Sequence, residues 1–313
     1  MAAEVRSLAE QLGRTPQLAE FLAESRYDLA DVYKQSIGGW FALLREASFS
    51  DEVPTEADLI LLKRFQLLLH IDSVSRLRLY LDQINQSASG LENLPVLQKR
   101  TIQMLTFRLL QASAREEGAD WAAGVKSLRE SPIVRNEFEQ LVLSLLDRVR
   151  MHSDEKPMLT DCPLFLHRQY TRDEILVGLG LPGMVGARHT QTGRFWIERS
   201  NLEVLFVTLD KSDKSFSPTT RYEDFAVSPT RFHWQSQSTT GEDSPTGRRY
   251  VEQSGNGCTI MLFVRSTKDD AFVFLGPVRY VSHSGSRPMS IYWDLVYPMP
   301  AWFFEICASL RVA

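Results

Sequence analysis

The densest run of groups able to do chemistry lies between Lys211 and Gln237, KSDKSFSPTTRYEDFAVSPTRFHWQSQ. It holds the aromatic rings Tyr222, Phe225, Phe232 and Trp234, the acid Asp224, His233, and the amide and hydroxyl groups of Gln235, Ser236 and Gln237. Ser217-Pro218 and Ser228-Pro229 break it into turns, because a residue before proline is pushed out of the helical region. Rings and amides held on a proline-fixed segment suit a flat polar ligand, and a nucleobase is the plainest such ligand. Tyr222, Phe225, Phe232 and Trp234 are candidate walls, and Asp224 is a candidate acceptor for an amine on the edge of a base. His233, Gln235, Ser236 and Gln237 would satisfy the remaining edge or contact phosphate. Strand alternation puts Phe232, Trp234 and Ser236 on one face and His233, Gln235 and Gln237 on the other. Phe232 is expected inside, with the His233 face toward ligand or solvent. The competing reading is a β-rich core segment with a surface hairpin.

Seven basic residues surround the run as candidate phosphate contacts: Lys211, Lys214, Arg221, Arg231, Arg248, Arg249 and Arg287. Gly241–Arg249 reads as a mobile loop whose paired arginines enter a groove, against an ordinary hairpin as the alternative. His283–Arg287 reads as a second exposed turn. Catalysis is the rival chemistry. His167, His189, His233 and His283 show no metal-ligand or nuclease spacing, and Cys162, Cys258 and Cys307 have no CxxC pairing, so no metal or cofactor is expected. A site of Ser236, His233 and Asp224 would have to assemble in space, without a GxSxG elbow beside it. Gly178–Gly183 fits GxGxxG in letters only, since it ends a helix and runs into proline. The reading is therefore of a recognition module and not an enzyme.

These residues need a scaffold. At 313 residues and 43% hydrophobic the chain suits two domains. A helical interaction or coupling domain is expected over 1–152 and a β-rich domain over 160–313, in an α+β chain. Thr15-Pro16, Thr55 and Ser131-Pro132 mark helix starts. Leu59–Leu69, Leu94–Arg115 and Ile133–Val149 are the long apolar-periodic segments. After the polar stretch 152–157, a short helix follows Tyr170-Thr171. Strands are expected at Arg194–Ile197, Leu202–Leu209, Thr259–Arg265, Ala271–Tyr280 and Ser290–Val296, a spacing that suits a closed or half-closed barrel with the helix as plug or flank. The first 159 residues carry 19 basic against 23 acidic residues and the remainder 16 against 16, of which 13 are arginine. No apolar run is long enough to span a bilayer and no signal-peptide pattern opens the chain, so a cytoplasmic protein is expected.

A resemblance joins these pieces. Leu205–Leu209, Phe216–Asp224, Phe232–Gln237, Leu262–Arg265, Phe274–Gly276 with Tyr280, Gly285–Met289 and Pro298–Pro300 occur in an order similar to a C-terminal domain of unknown function. That domain follows helicase motors in type IV modification-dependent restriction enzymes. The helical half resembles the coupler that precedes it. The resemblance implies an SRA-like, PUA-type barrel that reads 5-methylcytosine in double-stranded DNA by flipping the base. Helicase or nuclease subunits or domains, or a second copy of the chain, are the implied partners. A protein-interaction module or a sequence-independent DNA binder is the alternative.

Overall fold

The computed structural model describes the chain except residues 86–92, 111–120, 150–154, 156, 186–191, 211–223 and 313. It is an α+β chain of two compact units. One comprises Met1–Glu155, Asp161–Pro163 and Asp173–Gly183; the other comprises Lys156–Thr160, Leu164–Arg172 and Met184–Ala313.

The helical unit contains α1 (Ala2–Leu12), α2 (Leu18–Glu24), α3 (Leu29–Val32), α4 (Trp40–Glu46), α5 (Glu56–Arg64), α6 (Val74–Asn85), α7 (Val96–Leu110), α8 (Trp121–Glu130) and α9 (Pro132–Val149). The Ser131-Pro132 and Thr55 starts hold. Ser131 Oγ accepts the N–H of Val134, and Thr55 and Asp58 form a reciprocal capping box. The Thr15-Pro16 start does not: α2 begins at Leu18, where Gln17 and Glu20 make the cap. The 59–69 segment is also not one α-helix, for α5 ends at Arg64 and Phe65–Leu68 tightens into a 3-10 turn.

α9 organises this unit. Its apolar stripe is buried at Val134, Phe138, Leu141 and Leu145, while its polar side chains reach sideways to cap other helices. Glu137 accepts the N–H groups of Trp40 and Phe41, both at 2.7 Å, and Gln140 accepts that of Leu18 at 2.7 Å. A helix start leaves such donors without partners, so a buried acceptor there removes a desolvation cost of about 1–3 kcal/mol per group. Burial pushes the Glu137 carboxyl up to about 7, while Tyr33 and the two amides pull the other way. The start of α10 (Arg172–Gly178) is tied to the same unit: Glu174 receives Arg76 at 2.5 Å and contacts His70 at 2.7 Å, all three in the interior or nearly so. His70 is thus a packed histidine.

The second unit is built on an eight-stranded sheet of β1 (Gln169–Tyr170), β2 (Arg194–Ile197), β3 (Leu202–Thr208), β4 (Phe225–Ser228), β5 (Arg231–Gln235), β6 (Thr259–Arg265), β7 (Phe272–Ser284) and β8 (Ser290–Leu295). Its order is β2-β3-β6-β7-β8-β5-β4, with β1 added to β7; among the described residues only the β3–β6 pair is parallel. The sheet is not closed, with β2 and β4 at its ends, so of the closed or half-closed barrel expected the closed form does not occur. The helix expected to plug or flank it lies, from Asp173 onward, in the other unit.

Alternation sorts each strand onto two faces. The inner face carries Leu205, Val207, Phe232, Trp234, Ile260, Leu262, Val264, Val273, Leu275, Ile291 and Trp293. It is covered by Tyr250 of α11 (Pro245–Val251) and by Phe303 and Cys307 of α13 (Ala301–Val312); α12 (Gln253–Asn256) links back to β7. Burying each such ring contributes about 1.5–3 kcal/mol. Gly276 takes a left-handed φ of 85° with Leu166 against it, and the strap over 164–168 closes on β7 through the His167 N–H to the Phe274 carbonyl and the Phe274 N–H to the Arg168 carbonyl.

Candidate nucleic-acid interface

β5 divides as the alternation requires. Phe232 and Ser236 are fully buried, and Trp234 is 3% exposed between Tyr250 and Trp293, with ring centroids at 5.6 and 6.3 Å. Trp234 is therefore a core ring, both faces occupied, and not a wall open to a base. Ser236 is likewise structural. Its Oγ accepts the N–H of Met289 at 2.8 Å and donates to the carbonyl of Thr240 at 3.3 Å. The Ser236, His233 and Asp224 arrangement does not form, because Ser236 faces the inner side and His233 the outer.

The outer side of β4, β5, β8 and β7 is ordered in cross-strand rows. Arg231, Asp294 and Arg279 form the first; Phe225, His233, Tyr292 and Ser282 the second; Gln235, Ser290 and Ser284 the third. In the second row Phe225 stacks on His233 at 4.5 Å and 19°, and Tyr292 meets His233 edge-on at 5.0 Å. His233 is 5% exposed, so its two ring neighbours, both half-buried, form the accessible part of the stack. Asp224 Oδ1 accepts the N–H of Gln235 at 2.8 Å, which fixes the carboxylate beside that stack. The Gln235 amide donates to Ser290 Oγ at 3.3 Å. Gln237 follows β5 at the same end, half-buried. Tyr222, Lys211, Lys214 and Arg221 lie outside the described residues.

Arg231 pairs with Asp294 at 2.8 Å through two nitrogens, and that hydrogen bond raises the already high guanidinium pKa. Gly241–Arg249 is not one mobile loop. Ser244 caps α11 by accepting the N–H of Gly247 at 3.0 Å, with Pro245 at the first helical position. The two arginines diverge because successive helical residues point about 100° apart. Arg248 is exposed. Arg249 turns inward, its guanidinium 3.8 Å from the Trp196 ring centroid and 3.3 Å from the fully buried Glu203, which also takes Arg194 at 2.7 Å. Arg249 is thus a packing residue in place of the phosphate contact expected.

The two predicted turns meet. Asp243 receives Arg287 at 2.9 Å, Thr240 accepts the Arg287 N–H at 3.2 Å, and Glu242 stands 3.4 Å from His283. Between them and α11 opens a 760 Å³ cleft lined by Glu242, Asp243, Arg248, Val251, Glu252 and Arg287 among others. His283 Nδ1 lies 2.6 Å from the Tyr280 hydroxyl, whose pKa is raised by burial and by Glu242. The residues missed from sequence are Tyr292, Asp294, Arg279 and Tyr280. The apolar Ile291, Trp293 and Leu295 leave Tyr292 and Asp294 on the opposite face, so period-two reading of that strand reveals the pair. Among the described residues no cluster of His, Cys, Asp or Glu is suited to a metal ion, and no helix is long and apolar enough to cross a membrane.

No curated protein matches the chain. Residues 164–306, which run from the strap over β7 through the whole outer-face array and into α13, match the family model described as Domain of unknown function (DUF3427).

Proposed function

We propose that the sheet unit binds duplex DNA carrying 5-methylcytosine or a related modified cytosine, and holds the extruded base against the outer face of β4, β5 and β8. One observation carries the reading: a fixed carboxylate, Asp224, lies at the end of the Phe225–His233–Tyr292 stack and is anchored to the Gln235 backbone. An ionised carboxylate is acceptor-only, and an acidic side chain is the group suited to the exocyclic amine of cytosine. Extruding a base costs a few kcal/mol, and stacking on an aromatic side chain returns about 1–3 kcal/mol. Arg231 and Arg279, in the first row of the array, supply positive charge for the phosphates. Trp234 and Ser236 support this surface from behind it. The proposed activity is recognition, exercised in a cytoplasmic restriction setting beside motor or nuclease partners.

The test is binding of the full chain to matched duplexes with cytosine, 5-methylcytosine or 5-hydroxymethylcytosine across a salt series. A preference of about tenfold or more for one modified duplex, about 1.4 kcal/mol, is expected. Equal affinity for all three, falling steeply with salt, replaces the reader by a phosphate-tracking surface.

A further inference from the structure

The helical unit carries an open groove of 610 Å³ between the start of α5, the end of α8 and the start of α9. Its floor and walls are apolar at Val53, Leu61, Pro132 and Ile133, and its charged residues are Glu52, Asp58 and Glu130, with no lysine or arginine among them. Asp58 is committed to the α5 cap, where it accepts the Thr55 N–H at 2.8 Å. Glu52 and Glu130 are exposed. Lys126 reaches Glu130 at 3.5 Å, but both side chains are about two-thirds exposed, and such a pair is readily exchanged for another cation. Val53 is 81% exposed, the highest value for any large apolar residue described.

An apolar hollow with an acidic rim and an unburied valine has the composition of a docking surface and lacks the polar convergence of a small-molecule site. We infer that it receives a segment of a partner protein presenting apolar side chains flanked by lysine or arginine. Nucleic acid is disfavoured, since the rim repels phosphate. A second copy is disfavoured by like charge, with 19 basic against 23 acidic residues over 1–159. The inference is independent of base reading, which belongs to the other unit.

The probes are three fluorescent helical peptides of equal length: leucine with lysine, leucine with glutamate, and serine with lysine. The full chain is expected to bind the leucine–lysine peptide best, more weakly as salt rises. Glu52→Lys with Glu130→Lys should reduce that binding about tenfold or more. Glu10→Lys with Glu24→Lys, which changes net charge equally on α1 and α2, should leave it within about twofold. Ile133→Asp adds an apolar test, and circular dichroism of the charge variants guards against misfolding. Equal loss in both charge variants, equal binding of all three peptides, or self-association abolished by Ile133→Asp would each overturn the inference.

Discussion

Trp234 and His233 are joined by one peptide bond and are both buried, yet their surroundings differ in kind. Trp234 sits in an apolar cluster with the rings of Tyr250 and Trp293, under α11. His233 meets Phe225 and Tyr292 in a row bordered by Arg231 and Asp294 on one side and by Gln235, Ser290 and Asp224 on the other. The remainder of the outer face, on β3, β6 and the first half of β7, repeats the apolar solution. Phe206, Phe263, Phe272 and Phe274 pack together there, with Arg172 and Arg265 stacked on them. Ring content is thus similar in the three regions. The half holding His233 sets its rings between cross-strand rows of polar side chains, and that arrangement separates a surface able to recognise from one that only coheres.

This contrast predicts graded effects. Trp234→Ala should have the largest, destabilising the sheet unit by about 3–5 kcal/mol as a buried ring is replaced by a cavity. Urea unfolding followed by the remaining tryptophans measures it, and a cost under about 1 kcal/mol would break the division between faces. Asp224→Ala comes next. The folded variant should lose about tenfold or more in affinity for the preferred modified duplex, about 1.4 kcal/mol, with less change for unmodified DNA. Uniform loss on every duplex would place Asp224 among scaffold residues. Arg231→Gln should do least. Its bridge to Asp294 is solvent-exposed and adds little to stability, so melting should stay unchanged while the salt slope of DNA binding falls by about one.

Local rules made parts of the molecule legible beforehand. Pro132 and the Thr55 capping box announce α9 and α5, and the apolar runs of β3 and β6 announce themselves by length and β-branching. Period two separated Phe232 from His233. The placement of Trp234 was open because aromatic residues suit core and ligand wall alike, and only the arrival of Tyr250 from α11 decides it. Arg249 shows the same limit. Its inward turn depends on Glu203, 46 positions earlier, a pairing that composition does not encode. Ser244-Pro245 carried the same start signal as Ser131-Pro132, and the glycines on either side hid a helix of seven residues. Closure into a barrel likewise depends on strand pairing across the whole unit, not on strand spacing.

The pairing of β7 with β8 shifts register between Tyr280 and Ser282, so that Tyr280 opposes Trp293 and Ser282 opposes Tyr292 with Val281 as the additional residue. A bulge of this kind inverts the parity of every side chain beyond it. Tyr280 and His283 consequently share the inner side, three positions apart, where regular alternation would separate them. Val281 is thus a one-residue frameshift written into the backbone: without it, the histidine end of the strand would transfer to the opposite surface, and the cleft and the aromatic row would exchange their ingredients.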